Sequence, residues 1–163
     1  MATEPRNEAG QPTDLTGLKQ WRIVVPGNPI PQKRYAPTKR GGKRATYDPS
    51  SESKKTFRFL CADRRNDHWP NEPMEGPVMV DLRFYFERPK NHFVNKNRNN
   101  RLRDDAPTYH QVTPDYDNLI KFVCDAINGL YWKDDRQIAG GPTWKAWSEN
   151  PRTEIIITAL ENK

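Results

Sequence analysis

Apolar residues recur along this chain in two periods, and each period predicts an element. Val78, Val80, Leu82, Phe84 and Phe86 take alternate positions in GPVMVDLRFYFERP, residues 76–89. Alternation sends side chains to one face of a sheet, so this run reads as a strand with one buried face. WRIVVPG (21–27) is a β-rich run stopped by Pro26 and Gly27, and TEIIITALE (153–161) reads as a final strand. Residues 136–148 read as a strand interrupted by Gly140-Gly141-Pro142. The other period is helical. Leu119, Ile120, Val123, Ala126 and Ile127 recur at i, i+1, i+4, i+7 and i+8, and Asn128-Gly129 supplies a stop. Phe57, Leu60 and Cys61 share one face of a second helix over 50–66, with Ser50 or Ser51 as its cap. Between these elements, 29–49 is a loop or loose hairpin and 90–111 a polar loop in which nothing builds a core. Residues 1–18 lack any period and read as a disordered leader before one domain over 19–163. The expected fold is α+β, a single domain with a mixed β-sheet packed by helices.

Composition sharpens this picture. A length of 163 residues allows one domain with a real core, but 34% hydrophobic residues and 15 prolines make that core small for the length. The net charge of +6 suggests a polyanionic partner, most commonly nucleic acid; charge kept only for solubility is the alternative. Cys61 and Cys124 form no C-x-x-C pair, so free thiols in a reducing compartment are expected. The start lacks the apolar core of a secretory signal. No apolar run approaches the ~20 residues that span a bilayer, so the chain reads as cytoplasmic.

Against the basic whole, Asp115, Asp117, Asp125, Asp134 and Asp135 crowd one stretch with two lysines, Lys121 and Lys133. Asp115 and Asp117 stand where an extended segment turns into a helix, and side chains two apart in an extended segment point the same way. Should Leu130-Tyr131-Trp132 run back along the helix, Asp134 and Asp135 return to near Asp117. Clustered carboxylates raise one another's pKa unless a cation joins them. With no His or Cys ligand pattern nearby, that cation is a hard one, Mg²⁺ or Mn²⁺. Plainer readings stand beside this one. A single Asp here is often a helix cap, Asp134-Asp135 is a normal turn, and Asp117-Lys121-Asp125 makes an exposed ladder. An EF-hand fails because Ile120 and Ala126 stand where the loop needs Gly and an acid.

PDYDNLIKFVCDAINGLYWKDDRQI closely resembles the signature of the RusA family of Holliday-junction resolvases, found in bacteria and their phages. The shared shape is P-D-x-D-N-L-x-K, then D-A-hydrophobic-N-G, then D-D-x-Q-I, here beginning at Pro114, Asp125 and Asp134. VPGNPIPQKR, YDP, EGPVMVDLRFYFERPK and the closing strand are similar more weakly. The resemblance implies that Asp115, Asp117 and Asp135 bind divalent metal and support catalysis, with Lys121 the essential lysine. It implies an assisting role for Asp134 and supporting roles for Asn118 and Asp125. Pro114 stands where some relatives carry a basic residue. Lys145 resembles a basic position, and an exposed strand lysine is the alternative.

Carboxylates repel DNA, so affinity must come from surrounding Lys and Arg. Six basic residues, Lys33, Arg34, Lys39, Arg40, Lys43 and Arg44, precede the next acid, Asp48, and five more lie between 90 and 103. Tyr35, Tyr47 and Phe93 could stack at a branch point or simply pack. The resemblance implies a homodimer, with the final strand and the 117–128 helix as candidate interface. The expected activity is metal-dependent cleavage of four-way junction DNA in recombination and repair. Its rivals are a branched-DNA binder without cleavage and a nuclease directed at flaps or forks.

Overall fold

The computed structural model describes residues 17–64, 69–96 and 101–161, the Arg40 side chain excepted. Most of the expected leader, residues 1–16, lies outside that set. In chain order the elements are β1 (Gln20–Pro26), β2 (Ala36–Arg40), β3 (Lys43–Tyr47), α1 (Ser51–Asp63), β4 (Val78–Glu87), α2 (Tyr116–Ile127), β5 (Ile138–Gly140), β6 (Thr143–Ser148) and β7 (Arg152–Ala159). Strand β7 runs antiparallel between β1 and β4, while β5 and β6 pair in parallel with the far edge of β4. The sheet is therefore mixed, and the fold is a single α+β domain. Strands β2 and β3 form a separate antiparallel ribbon.

Both helices cover one sheet face. The alternating residues Val78 to Phe86 of β4 join Ile23 and Val25 of β1 and Ile155 and Ile157 of β7. Against them lie Phe57 and Cys61 of α1 and Leu119, Phe122, Val123, Ala126 and Ile127 of α2. Phe57 meets Phe122 edge-on at 5.5 Å, tying the helices together. Full burial of Phe122 contributes about 1.5–3 kcal/mol.

The expectation of one buried face on β4 needs correcting. Met79 and Asp81, which point to the other face, are only 7% and 6% exposed. Arginines cover that side rather than apolar residues. Arg83 pairs with Asp81 at 2.8 Å, while Arg152 and Arg22 both reach Glu154, at 2.6 and 2.9 Å. Arg152 also lies 3.8 Å over the Tyr85 ring. Burial pushes the Glu154 pKa up, but the two arginines outweigh it and hold the carboxyl below its ordinary range.

Gly141 is where β5 passes to β6 close against β4. A Cβ there would lie 2.0 Å from the Val80 carbonyl oxygen at φ +149, so only glycine fits.

Three further expectations change. The 90–111 segment does contribute a small core: His92, Phe93 and His110 are buried, with His110 stacked on Phe86 at 3.9 Å and tilted against Trp147 at 4.3 Å. The partners come from the ends of β4 and β6, which composition within the segment does not reveal. Ser50 precedes α1 but makes no side-chain cap; its Oγ accepts from Lys33 N at 2.9 Å. The final strand lies between two others with residues 153–158 buried, and the α2 stripe faces the core. Neither therefore offers the exposed apolar surface expected of a dimer interface. Among the described residues, no helix is long and apolar enough to cross a membrane.

Candidate active site

Asp115 occupies the cap position of α2 with extended backbone, yet its carboxylate makes no capping hydrogen bond. Asp117 follows in the first turn. Both are exposed, and neither side chain has a hydrogen-bond or ion-pair partner among the described residues. The cap reading therefore does not explain Asp115. Two like charges are held at a helix N-terminus, where the positive end of the helix dipole favours them.

Lys121 lies one turn further on, exposed and without an ion pair among the described residues. The expected ladder does not form, because Asp125 is taken by a neighbour. Lys54 of α1 places its ammonium 2.8 Å from Asp125 and 2.9 Å from Asp48. Asp48 also accepts from Gln32 Nε2 at 2.9 Å and from Ser50 N at 2.8 Å. This bracket locks the 32–34 segment, α1 and α2 together. Asp125 is accordingly a strut between helices.

The adjacent aspartates Asp134 and Asp135 do different things. Asp134 caps a short 3₁₀ turn over Asp135–Gln137. It accepts from Arg136 N at 2.9 Å, while Gln137 Oε1 receives the Asp134 N–H at 2.8 Å. An ion pair with Arg136 at 2.9 Å holds the Asp134 carboxyl below its ordinary range. Asp135 instead accepts from Trp132 Nε1 at 2.8 Å, and Trp132 is fully buried. That bond fixes one oxygen of the carboxylate. Burial pushes the Cys124 thiol up to about 12, with the charges of Asp135 and then Asp125 adding to it. Cys124 shares a helical face with Asp117 and Lys121, at i+7 from Asp117, or roughly 10 Å along the axis. Asp135 therefore lies near enough to Cys124 for its charge to act on the thiol.

Among the described residues, no three His, Cys, Asp or Glu side chains gather closely enough to hold a metal ion. The donor types nevertheless suit a hard divalent cation. Mg²⁺ usually keeps several waters and is held by one or two carboxylates together with substrate phosphates, rather than by an all-protein cage. The unpartnered pair Asp115 and Asp117 meets that description.

Basic residues stand beside this helix end. Gln32 N donates to Asn118 O at 2.8 Å, seating the PQKR segment on the first turn of α2. From there exposed Lys33 and Arg34 lead into the β2–β3 ribbon, where Lys39 pairs across from Arg44 and Arg40 across from Lys43 around Gly41-Gly42. All of β3 is exposed, as are Tyr35 and Tyr47, at 55% and 52%. Phe93 is buried and packs, so it is no stacking candidate. Lys145 is not the fully exposed strand lysine of its plainer reading. It is half-buried, and its ammonium donates to Val112 O at 3.0 Å and Pro114 O at 2.8 Å. Its ammonium faces the peptide before Asp115.

Sequence reasoning missed Lys54, Gln32 and Trp132. YDP was visible as a motif, but its lysine partner lies on another element, and Trp132 looked like one more apolar residue.

A family model described as endodeoxyribonuclease RusA matches residues 26–158. The uncharacterized protein YqaN of Bacillus subtilis (strain 168) is 33% identical over 137 residues, covering 83% of this chain and 94% of its own length.

Proposed function

The chain belongs to the RusA family of endodeoxyribonucleases, and from that premise we propose that it resolves four-way DNA junctions in recombination and repair. The observation that carries this reading is the pair of unpartnered carboxylates, Asp115 and Asp117, beside the unpaired Lys121 and next to the segment that leads into a basic ribbon. Asp115, Asp117 and Asp135 would hold Mg²⁺ or Mn²⁺. A bound metal supplies Lewis acidity and lowers the pKa of a water. Lys121 contacts the scissile phosphate and offsets the charge that grows on it. Trp132 holds one oxygen of Asp135 in place. Lys33, Arg34, Lys39 and Arg40 neutralise neighbouring phosphates, which draws DNA onto a carboxylate site that would otherwise repel it. A homodimer matches the two-fold symmetry of a four-way junction and its two opposed cuts.

The test is cleavage of synthetic four-way, three-way, flap and linear DNA at matched salt with Mg²⁺ or Mn²⁺. Paired nicks confined to the four-way substrate support the reading. Preferential flap or fork cleavage favours a nuclease of another specificity, and tight junction binding without cuts makes the protein a binder.

A further inference from the structure

We propose that Lys145 is a positioning residue, whose ammonium fixes the peptide that presents the Asp115 carboxylate at the start of α2. The inference rests on the reading of Asp115 given above. It starts from how residues 108–114 are held. Trp147 N donates to Thr108 O at 2.8 Å and His110 N to Lys145 O at 3.2 Å, while Tyr109 bridges Ala146. These bonds lay the segment antiparallel along the outer edge of β6. The His110 ring, between Phe86 and Trp147, pins it from below.

Past His110 this backbone pairing ends, and α2 begins only with the Leu119 N–H to Asp115 O bond at 3.4 Å. Pro114 has no N–H to contribute. The carbonyls of Val112 and Pro114 are instead taken by one ammonium, at 3.0 and 2.8 Å. An ammonium has three donors, so two are committed here. A phosphate contact would have to release at least one of these carbonyls or rely on the remaining donor. The side chain thus extends the hold of β6 on the segment up to the residue before Asp115. Residues that orient a metal-binding side chain typically change affinity by about 10–100-fold when removed.

The experiment uses the full chain with Lys145→Met and Lys145→Arg. Three readouts are taken: Mn²⁺ binding without DNA, four-way junction affinity across salt in Ca²⁺, and amide exchange at 115–117, each beside a thermal melt. We expect K145M to bind Mn²⁺ about 10-fold or more weakly, to keep the wild-type salt slope, and to exchange faster at 115–117. K145R, which can donate to the same carbonyls, should recover most of the loss. Unchanged Mn²⁺ affinity in K145M overturns the proposal, most plainly when the salt slope drops by about one, the mark of a lost phosphate contact. If the wild type itself takes up Mn²⁺ neither alone nor with junction DNA, the functional reading fails separately. Exchange at 115–117 then decides about Lys145, and equal rates in wild type and K145M overturn the positioning role. If K145M does not fold, K145A, which likewise has no side-chain donor, replaces it under the same criteria.

Discussion

Replacing Lys54 with Met separates the residues that hold the site from those that act in it. Lys54 is 14% exposed at its side chain and joins Asp48, 16% exposed, to Asp125, 33% exposed. A hydrogen bond to a charged partner contributes about 1.5–3 kcal/mol when shielded, and an exposed ion pair about 0.2–1 kcal/mol. With the Asp48 bond in the lower part of the first range and the Asp125 bond in the second, the loss is about 2–3 kcal/mol. In a domain of this size that lowers Tm by about 4–12 °C.

The pH profile follows from the same groups. Burial pushes Asp48 up, but hydrogen bonds from Lys54, the Ser50 N–H and Gln32 outweigh it, leaving its pKa below 3.8. Burial pushes Lys54 down, but Asp125 and Asp48 outweigh it, leaving its pKa above 10.5. The carboxylate's contribution is present above its unfolded value of 3.8 and fades as pH falls through the lower folded value. The lysine's is present below 10.5 and fades as pH rises through the higher folded value. The gap between wild type and K54M should therefore be widest near neutral pH and shrink below 3.8. Melts from pH 3 to 8, a double-mutant cycle with Asp125→Asn, and junction cleavage at 25 °C provide the check. K54M and D125N should lose stability but cut at near wild-type rate while folded. A D125N protein that melts normally but no longer cuts would refute the assignment of Asp125 as a strut.

Other expectations concern the remaining parts. Trp132→Phe removes the donor to Asp135, so cleavage should fall about 10–100-fold with junction affinity kept; an unchanged rate would remove Asp135 from the site. Gly141→Ala places a Cβ 2.0 Å from the Val80 carbonyl oxygen and should cost at least about 1–3 kcal/mol in urea unfolding. Lys33→Ala with Arg34→Ala should weaken junction binding and lower its salt slope by about one to two, with little change in rate at saturating DNA. A slope equal to wild type would place the DNA elsewhere.

The parts legible in the sequence were those encoded locally. Alternation in β4 and the 3.6-residue period in α2 identify their own buried faces, and the motif from Pro114 to Ile138 places the aspartates at the ends of named elements. What escaped notice depends on partners far apart in sequence. The second face of the sheet is closed by Arg22, Arg83 and Arg152 over acids and aromatic rings, so its burial leaves no hydrophobic pattern. His110 is buried only because Phe86 and Trp147 meet there. Asp134 and Asp135 are chemically identical neighbours, and the Trp132 indole on one and the Arg136 backbone and side chain on the other distinguish them. Lys145 looked like a surface cation because sequence cannot show the carbonyls it faces.

The central claim is that Asp115 and Asp117 carry the chemistry while the basic ribbon carries the affinity. The most direct measurement is the Asp117→Asn variant, assayed for four-way junction cleavage in Mg²⁺ and for binding to the same junction without cleavage. The account predicts cleavage at background, with binding kept or tightened because one repulsive charge is gone. Cleavage near the wild-type rate would contradict it.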